Sequence, residues 1–142
     1  MQRVKHVLGT KGSAIYAVGP QQPVLDALRQ MAERHVGALL VMKGDELVGI
    51  ISERDYARKV VLLGRSSADT PVSQIMSSPV VTVHPDDTVH DCLSLMTQKR
   101  IRHLAVVADS DVIGVVSIGD LVKAVIEEQQ HQIEDLERFI HG

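Results

Sequence analysis

Two nine-residue phrases hold the residues of this chain best placed to do chemistry: "VGIISERDY" at 48–56 and "IGVVSIGDL" at 113–121. Each is an apolar run broken by one glycine, followed by a serine and, three places on, an aspartate. Such a Ser-x-x-Asp spacing after a strand-like run marks a helix start. Serine takes the N-cap, and the aspartate carboxylate at the third helical position can accept a return bond from the cap's own N–H. That role is purely structural, and glutamate fills it better than aspartate. The same geometry also suits an anion, because a helix N-terminus offers free N–H groups and partial positive charge. A serine hydroxyl adds a phosphate bond, and an aspartate one turn in can accept both hydroxyls of a ribose. Ser52 and Ser117 with Asp55 and Asp120 therefore fit a nucleotide, phosphate plus diol, as well as a cap. Gly49 and Gly114, inside strands, leave room for a ligand or another backbone to come close.

The duplication extends well beyond these phrases. A shift of 65 residues aligns 15–62 with 80–127 without a gap, and 12 of the 48 pairs are identical, too many for chance. Among them are Val24/Val89, Asp26/Asp91, Leu28/Leu93 and Met31/Met96, while Val36/Ile101 and Ile50/Val115 exchange one aliphatic residue for another.

Each copy reads as a short extended segment, a helix, two strands and a helix. Val24, Ala27, Leu28 and Met31, and likewise Val89, Cys92, Leu93 and Met96, recur at helical spacing and predict amphipathic helices whose apolar faces are core. Pro23 in the first turn and a Thr88-x-x-Asp91 cap start them. "ALLVM" with "LVGII" and "LAVVA" with "VIGVV" are strand-like, and "KGDE" and "DSD" between them are turn chemistry, so each pair predicts a hairpin. A single small sheet exposes a face that the second copy can cover. The expectation is thus an α+β fold of two β-α-β-β-α repeats packed as a pseudo-two-fold pair. The expected boundaries are an N-terminal segment 1–14, repeat one 15–63, a connector 64–79, repeat two 80–127 and a C-terminal helical extension 128–142. Thr70-Pro71 marks a short helical turn within the connector.

With that layout on the page, the chain resembles tandem cystathionine-β-synthase (CBS) domains, the regulatory pair called a Bateman module, over about residues 4–140. The resemblance rests on the repeat order and on Gly-h-h-Ser-x-x-Asp in both copies, h being apolar. "SERDYARKVVLLGRSS" and "LMTQKRIRHLAVV" look like the small stand-alone subgroup without an attached enzyme or channel. The resemblance implies an adenosine nucleotide (AMP, ADP, ATP or NAD) held in a cleft between the halves, and no catalytic cofactor. Carried over residue by residue, it implies adenine contacts from Ala17, Val18, Gly37 and Ala38 in the first half and from Thr82, Val83, Arg102 and His103 in the second. It makes Asp55 and Asp120 ribose ligands and places Ser52 and Ser117 on the phosphate side. The halves differ where Gly37 answers Arg102, Ala38 answers His103 and Arg54 answers Gly119. Arg54, Arg102 and His103 are candidate phosphate contacts, and the two sites should not be equivalent.

Composition narrows the alternatives. A net charge of −3 over 142 residues, with two Tyr, one Phe and no Trp, argues against a nucleic-acid binder. No stretch approaches the roughly 20 apolar residues of a membrane span. Met1 to Thr10 lacks the apolar segment of a secretory signal, so cytoplasm is the expected location. One cysteine, Cys92, excludes an internal disulfide, and the histidines lack metal-ligand spacing. No nucleophile has a histidine at catalytic spacing, so the expectation is a regulatory module that modulates an unknown partner protein; the alternative is a ligand-independent dimerisation and docking module. The last helix is predicted to run on through 140, with Ile133, Leu136 and Ile140 needing cover. A second copy, giving a homodimer, is expected to cover them. The rival is packing back on Val4, Val7 and Leu8.

Overall fold

A computed structural model describes residues 2–12 and 14–141. Met1, Ser13 and Gly142 lie outside the described residues. The backbone forms two units, one of residues 15–81 and the other of residues 1–14 with 82–142.

In the first unit, β1 (Ala17–Val18) runs parallel to β2 (Ala38–Lys43), which turns into antiparallel β3 (Glu46–Ser52). Gly44, at φ +61, supplies the tight turn that "KGDE" predicted. Between β1 and β2 lies α2 (Val24–Arg34), which buries Val24, Ala27 and Met31 at the expected spacing. Pro23 stands one residue earlier than predicted, as the N-cap with extended ψ of 145°, rather than inside the first turn. The following N–H, on Val24, is taken by Thr70 O at 2.8 Å. Leu39, Val41, Ile51, Val60, Val72 and Ile75 join the helix face to form the core.

The second unit repeats this order with β4 (Thr82–Val83), α4 (Val89–Lys99), β5 (His103–Ala108) and β6 (Asp111–Ser117). The Thr88 hydroxyl accepts from Asp91 N–H at 3.1 Å, as the cap motif predicted, and Val89, Cys92 and Met96 are buried. Burial, with Asp87 and Asp91 nearby, pushes the Cys92 thiol up to about 11, so it is an inert core group.

The repeats diverge after the serine. In the first, α3 (Glu53–Tyr56) passes into a π-turn (Ala57–Val61) and stops at Gly64, φ +66. In the second, α5 (Ile118–His141) meets no such stop and runs 24 residues, as expected.

Each sheet is completed by a segment from before the other repeat in sequence. In the first unit, Val72 N–H bonds Gln22 O and Ser73 N–H bonds Pro20 O, both at 2.9 Å, and a 3-10 turn (Val72–Gln74) brings Met76 onto β3. In the second, Val4 N–H bonds Asp87 O and Lys5 N–H bonds Pro85 O, again at 2.9 Å, and α1 (Val4–Lys11) brings Leu8 onto β6. The expectation for Gly49 and Gly114 is corrected by these contacts. A Cβ on Gly114 would lie 2.8 Å from Leu8 Cδ2, and one on Gly49 would strike Met76, so the glycines admit side chains of their own chain rather than a ligand. Val4, Val7 and Leu8 are buried by this packing, yet Ile133, Leu136 and Ile140 stay exposed. The tail therefore does not fold back onto them.

Candidate nucleotide site

Both Ser-x-x-Asp motifs form reciprocal caps. Asp55 N–H donates to Ser52 Oγ at 3.2 Å while Ser52 N–H donates to Asp55 Oδ2 at 3.0 Å. Asp120 N–H donates to Ser117 Oγ at 3.1 Å and Ser117 N–H to Asp120 Oδ2 at 2.8 Å. The structural reading of the motif is thus realised in both halves, and each carboxylate is fixed at the head of its helix.

Strand register gathers part of each predicted set. Ala38 faces Ser52 across β2 and β3, and Glu53 N–H donates to Gly37 O at 3.0 Å. Gly37, Ala38, Ser52 and Asp55 therefore converge, with Arg54 half-buried one position away. In the second unit His103 faces Ser117, and Ile118 N–H donates to Arg102 O at 2.9 Å, so Arg102, His103, Ser117 and Asp120 converge. Arg102 is exposed, as a phosphate contact would need to be. Ala17 and Val18 pair with Leu40 and Val41, two to three residues farther along the sheet; Thr82 and Val83 pair with Ala105 and Val106. Val18 and Val83 are only 4% and 8% exposed, so their side chains belong to the core.

Three groups that sequence reasoning did not pick out complete the carboxylate environments. Lys59 Nζ lies 3.3 Å from Asp55 Oδ1, and Ser77 Oγ lies 3.4 Å from the same oxygen. Lys59 was legible in principle, since it stands four residues after Asp55 on the same helical turn. Asp120 instead meets Lys11, whose Nζ donates to Asp120 Oδ2 at 2.5 Å and to Val115 O at 2.8 Å. No local spacing points to a partner 109 positions away. Burial pushes the Asp120 carboxyl up, but the Lys11 and Ser117 hydrogen bonds and the Lys11 charge outweigh it and hold the group below the usual carboxylate range. A cavity of about 360 Å³ opens beside this pair, lined also by Lys123. The arrangement holds one fixed acid per unit with a cation close by, a carboxylate chemically able to accept hydrogen bonds from hydroxyl groups. Among the described residues no group of three or more His, Cys, Asp or Glu could hold a metal ion, and no helix is long and apolar enough to cross a membrane.

Two such β-α-β-β-α repeats, each with a Ser-x-x-Asp cap at the head of its last helix, define a tandem-repeat α+β fold. The CBS domain model matches residues 10–62 and 72–127, and the chain belongs to the CBS-domain family, with an α+β fold of two CBS repeats. It is 45% identical over 124 residues to the CBS domain-containing protein CBSX3, mitochondrial, of Arabidopsis thaliana, covering 84% of this chain and 60% of that relative. The solved CBS domain NE2398 is 48% identical, with a TM-score of 0.84 over 88% of this chain and 98% of that one. The CBS domain protein PAE2072 of Pyrobaculum aerophilum, solved in complex with AMP, is 27% identical, with a TM-score of 0.74 over 84% of this chain and 89% of its own.

Proposed function

We propose that this chain is a regulatory module that binds an adenosine nucleotide, AMP, ADP, ATP or NAD, and passes the bound state to a partner protein without catalysing a reaction. What carries the reading is the recurrence, in both repeats, of a fixed carboxylate beside the start of the first hairpin strand. The AMP found with PAE2072 supports it by family likeness. Ribose hydroxyls donate to Asp55 and Asp120, the Ser52 and Ser117 hydroxyls face the phosphate side, and Arg102 adds charge. A ligand that binds only the native state shifts the population of conformations its partner sees. Cytoplasm is the proposed location, against the mitochondrial label that one relative carries.

Calorimetric titration of Asp55→Ala and Asp120→Ala with AMP, ATP and NAD tests this directly. Each variant should lose binding at one site while keeping its fold, the lost cap costing about 1 kcal/mol. Unchanged affinity in both variants and in the double variant would leave the aspartates as caps only, which is the docking-module reading. That second reading has an observation in its favour: both carboxylates are already hydrogen-bonded to the cap backbone of their own helices. Arg102→Ala refines the test, since its loss should be large for AMP and small for adenosine, which has no phosphate to contact. Equal losses would remove Arg102 from the phosphate side.

A further inference from the structure

The family match ends at residue 127, but α5 continues to His141. Along its free side, Val122, Ile126, Gln129, Ile133, Leu136 and Ile140 are spaced alternately four and three apart, the a and d positions of a heptad. The five apolar members are 43–71% exposed, whereas the residues that α5 turns inward, Leu121 and Ala124, are buried. The stripe therefore lies on a different side of the helix from the face that packs on the unit. It spans about 27 Å at 1.5 Å per residue, long enough for a two-stranded pairing.

We propose that this stripe pairs antiparallel with the same helix of a second copy of the chain. Charge decides both the occupant and the direction. In an antiparallel two-fold register centred near His131, Ile126 packs on the partner's Leu136 and Ile140 on the partner's Val122. The flanking e positions then bring Lys123 against the partner's Glu137, twice by symmetry, so the stripe complements itself. On the other flank, Val125 meets the partner's Phe139, which gives cover to a phenyl ring that is 86% exposed in the single chain. The polar residues Gln129, Gln130 and Gln132 gather around the two-fold axis, where a polar centre fixes register at some cost in stability. A parallel pairing forms none of these matches: its flanks set Gln132 against the partner's Glu137 and Val125 against the partner's Gln130. The outward positions carry Asp135 and Arg138, which pair with each other and keep that side solvated.

Sedimentation of the full chain should give a concentration-dependent dimer, and Ile133→Asp with Leu136→Asp should abolish it while circular dichroism of the repeats is retained. Lys123→Glu or Glu137→Lys alone sets two like-charge contacts and should raise the dimer dissociation constant about tenfold. Combining the two should restore it to within about twofold, an outcome parallel helices cannot give because the two positions are then two heptads apart. Oxidative trapping reads direction directly against an inert background, Cys92 being buried. A mixture of Val122→Cys and Ile140→Cys chains should cross-link, whereas either alone should not. A monomer at all concentrations, a dimer that survives the double aspartate variant, or self-cross-linking of Val122→Cys alone would each overturn the proposal.

Discussion

The two repeats carry the same acid in the same cap, yet they hold it by different means. In residues 15–81 the cation beside Asp55 is Lys59, one turn further along the helical run that Asp55 itself begins. The equivalent position in the second repeat is Ala124, which is buried, and the cation beside Asp120 is Lys11 from α1. A small residue at 124 lets α1 lie against α5, and α1 returns the missing charge. The covering of the glycines differs in the same way. Met76 arrives on a 3-10 turn and fits closely over Gly49, with atoms as near the backbone as its Cβ at 3.2 Å from where a glycine Cβ would stand. Leu8 reaches Gly114 only with the tip of its side chain, its Cγ being 3.7 Å away. The first repeat is thus locked locally, and the second depends on a terminal helix.

The largest consequence of that contrast is in packing. Gly49→Ala should destabilise the chain by about 3 kcal/mol, because the new methyl meets Met76 along its length and the turn behind it must move. Gly114→Ala should cost about 1 kcal/mol, since the Leu8 methyl that it meets can rotate aside. Urea unfolding of the two variants measures the difference. Adding Met76→Ala to Gly49→Ala sharpens it, as the double variant should recover part of the loss. Equal costs at the two glycines would break the distinction between a local lock and a loose terminal one.

Much of this was readable beforehand because the repeat, the helix faces and the caps are local patterns. Met31 and Met96 fall in the core, the hairpins turn where "KGDE" and "DSD" stand, and both Ser-x-x-Asp boxes close. The coverings escaped because their correspondence is out of phase with the repeat. The bonding places Val4 with Val72 and Leu8 with Met76, positions 68 apart, whereas the repeats themselves align at 65. A shift of three residues hides the match between "RVKHVL" and "PVSQIM" from a single-offset comparison. The glycines were accordingly read as openings, although their vacancies were already assigned to this second, shorter repeat. The burial of Val18 and Val83 was hidden for another reason: a two-residue strand is too short for alternation to say which way a side chain points.

The smallest expected effect isolates the borrowed cation. Lys11→Met keeps most of the apolar stem of the side chain and removes the charge and the hydrogen bond. Burial then opposes only the Ser117 bonds, and the Asp120 carboxyl moves up from its depressed value. A carboxyl depressed in the folded state contributes stability above its unfolded value of about 4 and loses it as pH falls through the folded value. Wild type should therefore exceed Lys11→Met at pH 7, and the gap should close in acid once Asp120 is protonated. Because Lys11 and Asp120 are 36% and 25% exposed, the gap at neutral pH should be no more than about 1 kcal/mol. Urea titrations of both proteins from pH 7 down to about 3 give the profile, with the Asp120 carboxyl followed by NMR. A gap that stays constant with pH would assign the contribution of Lys11 to its stem packing, and the second repeat would then hold its acid with Ser117 alone.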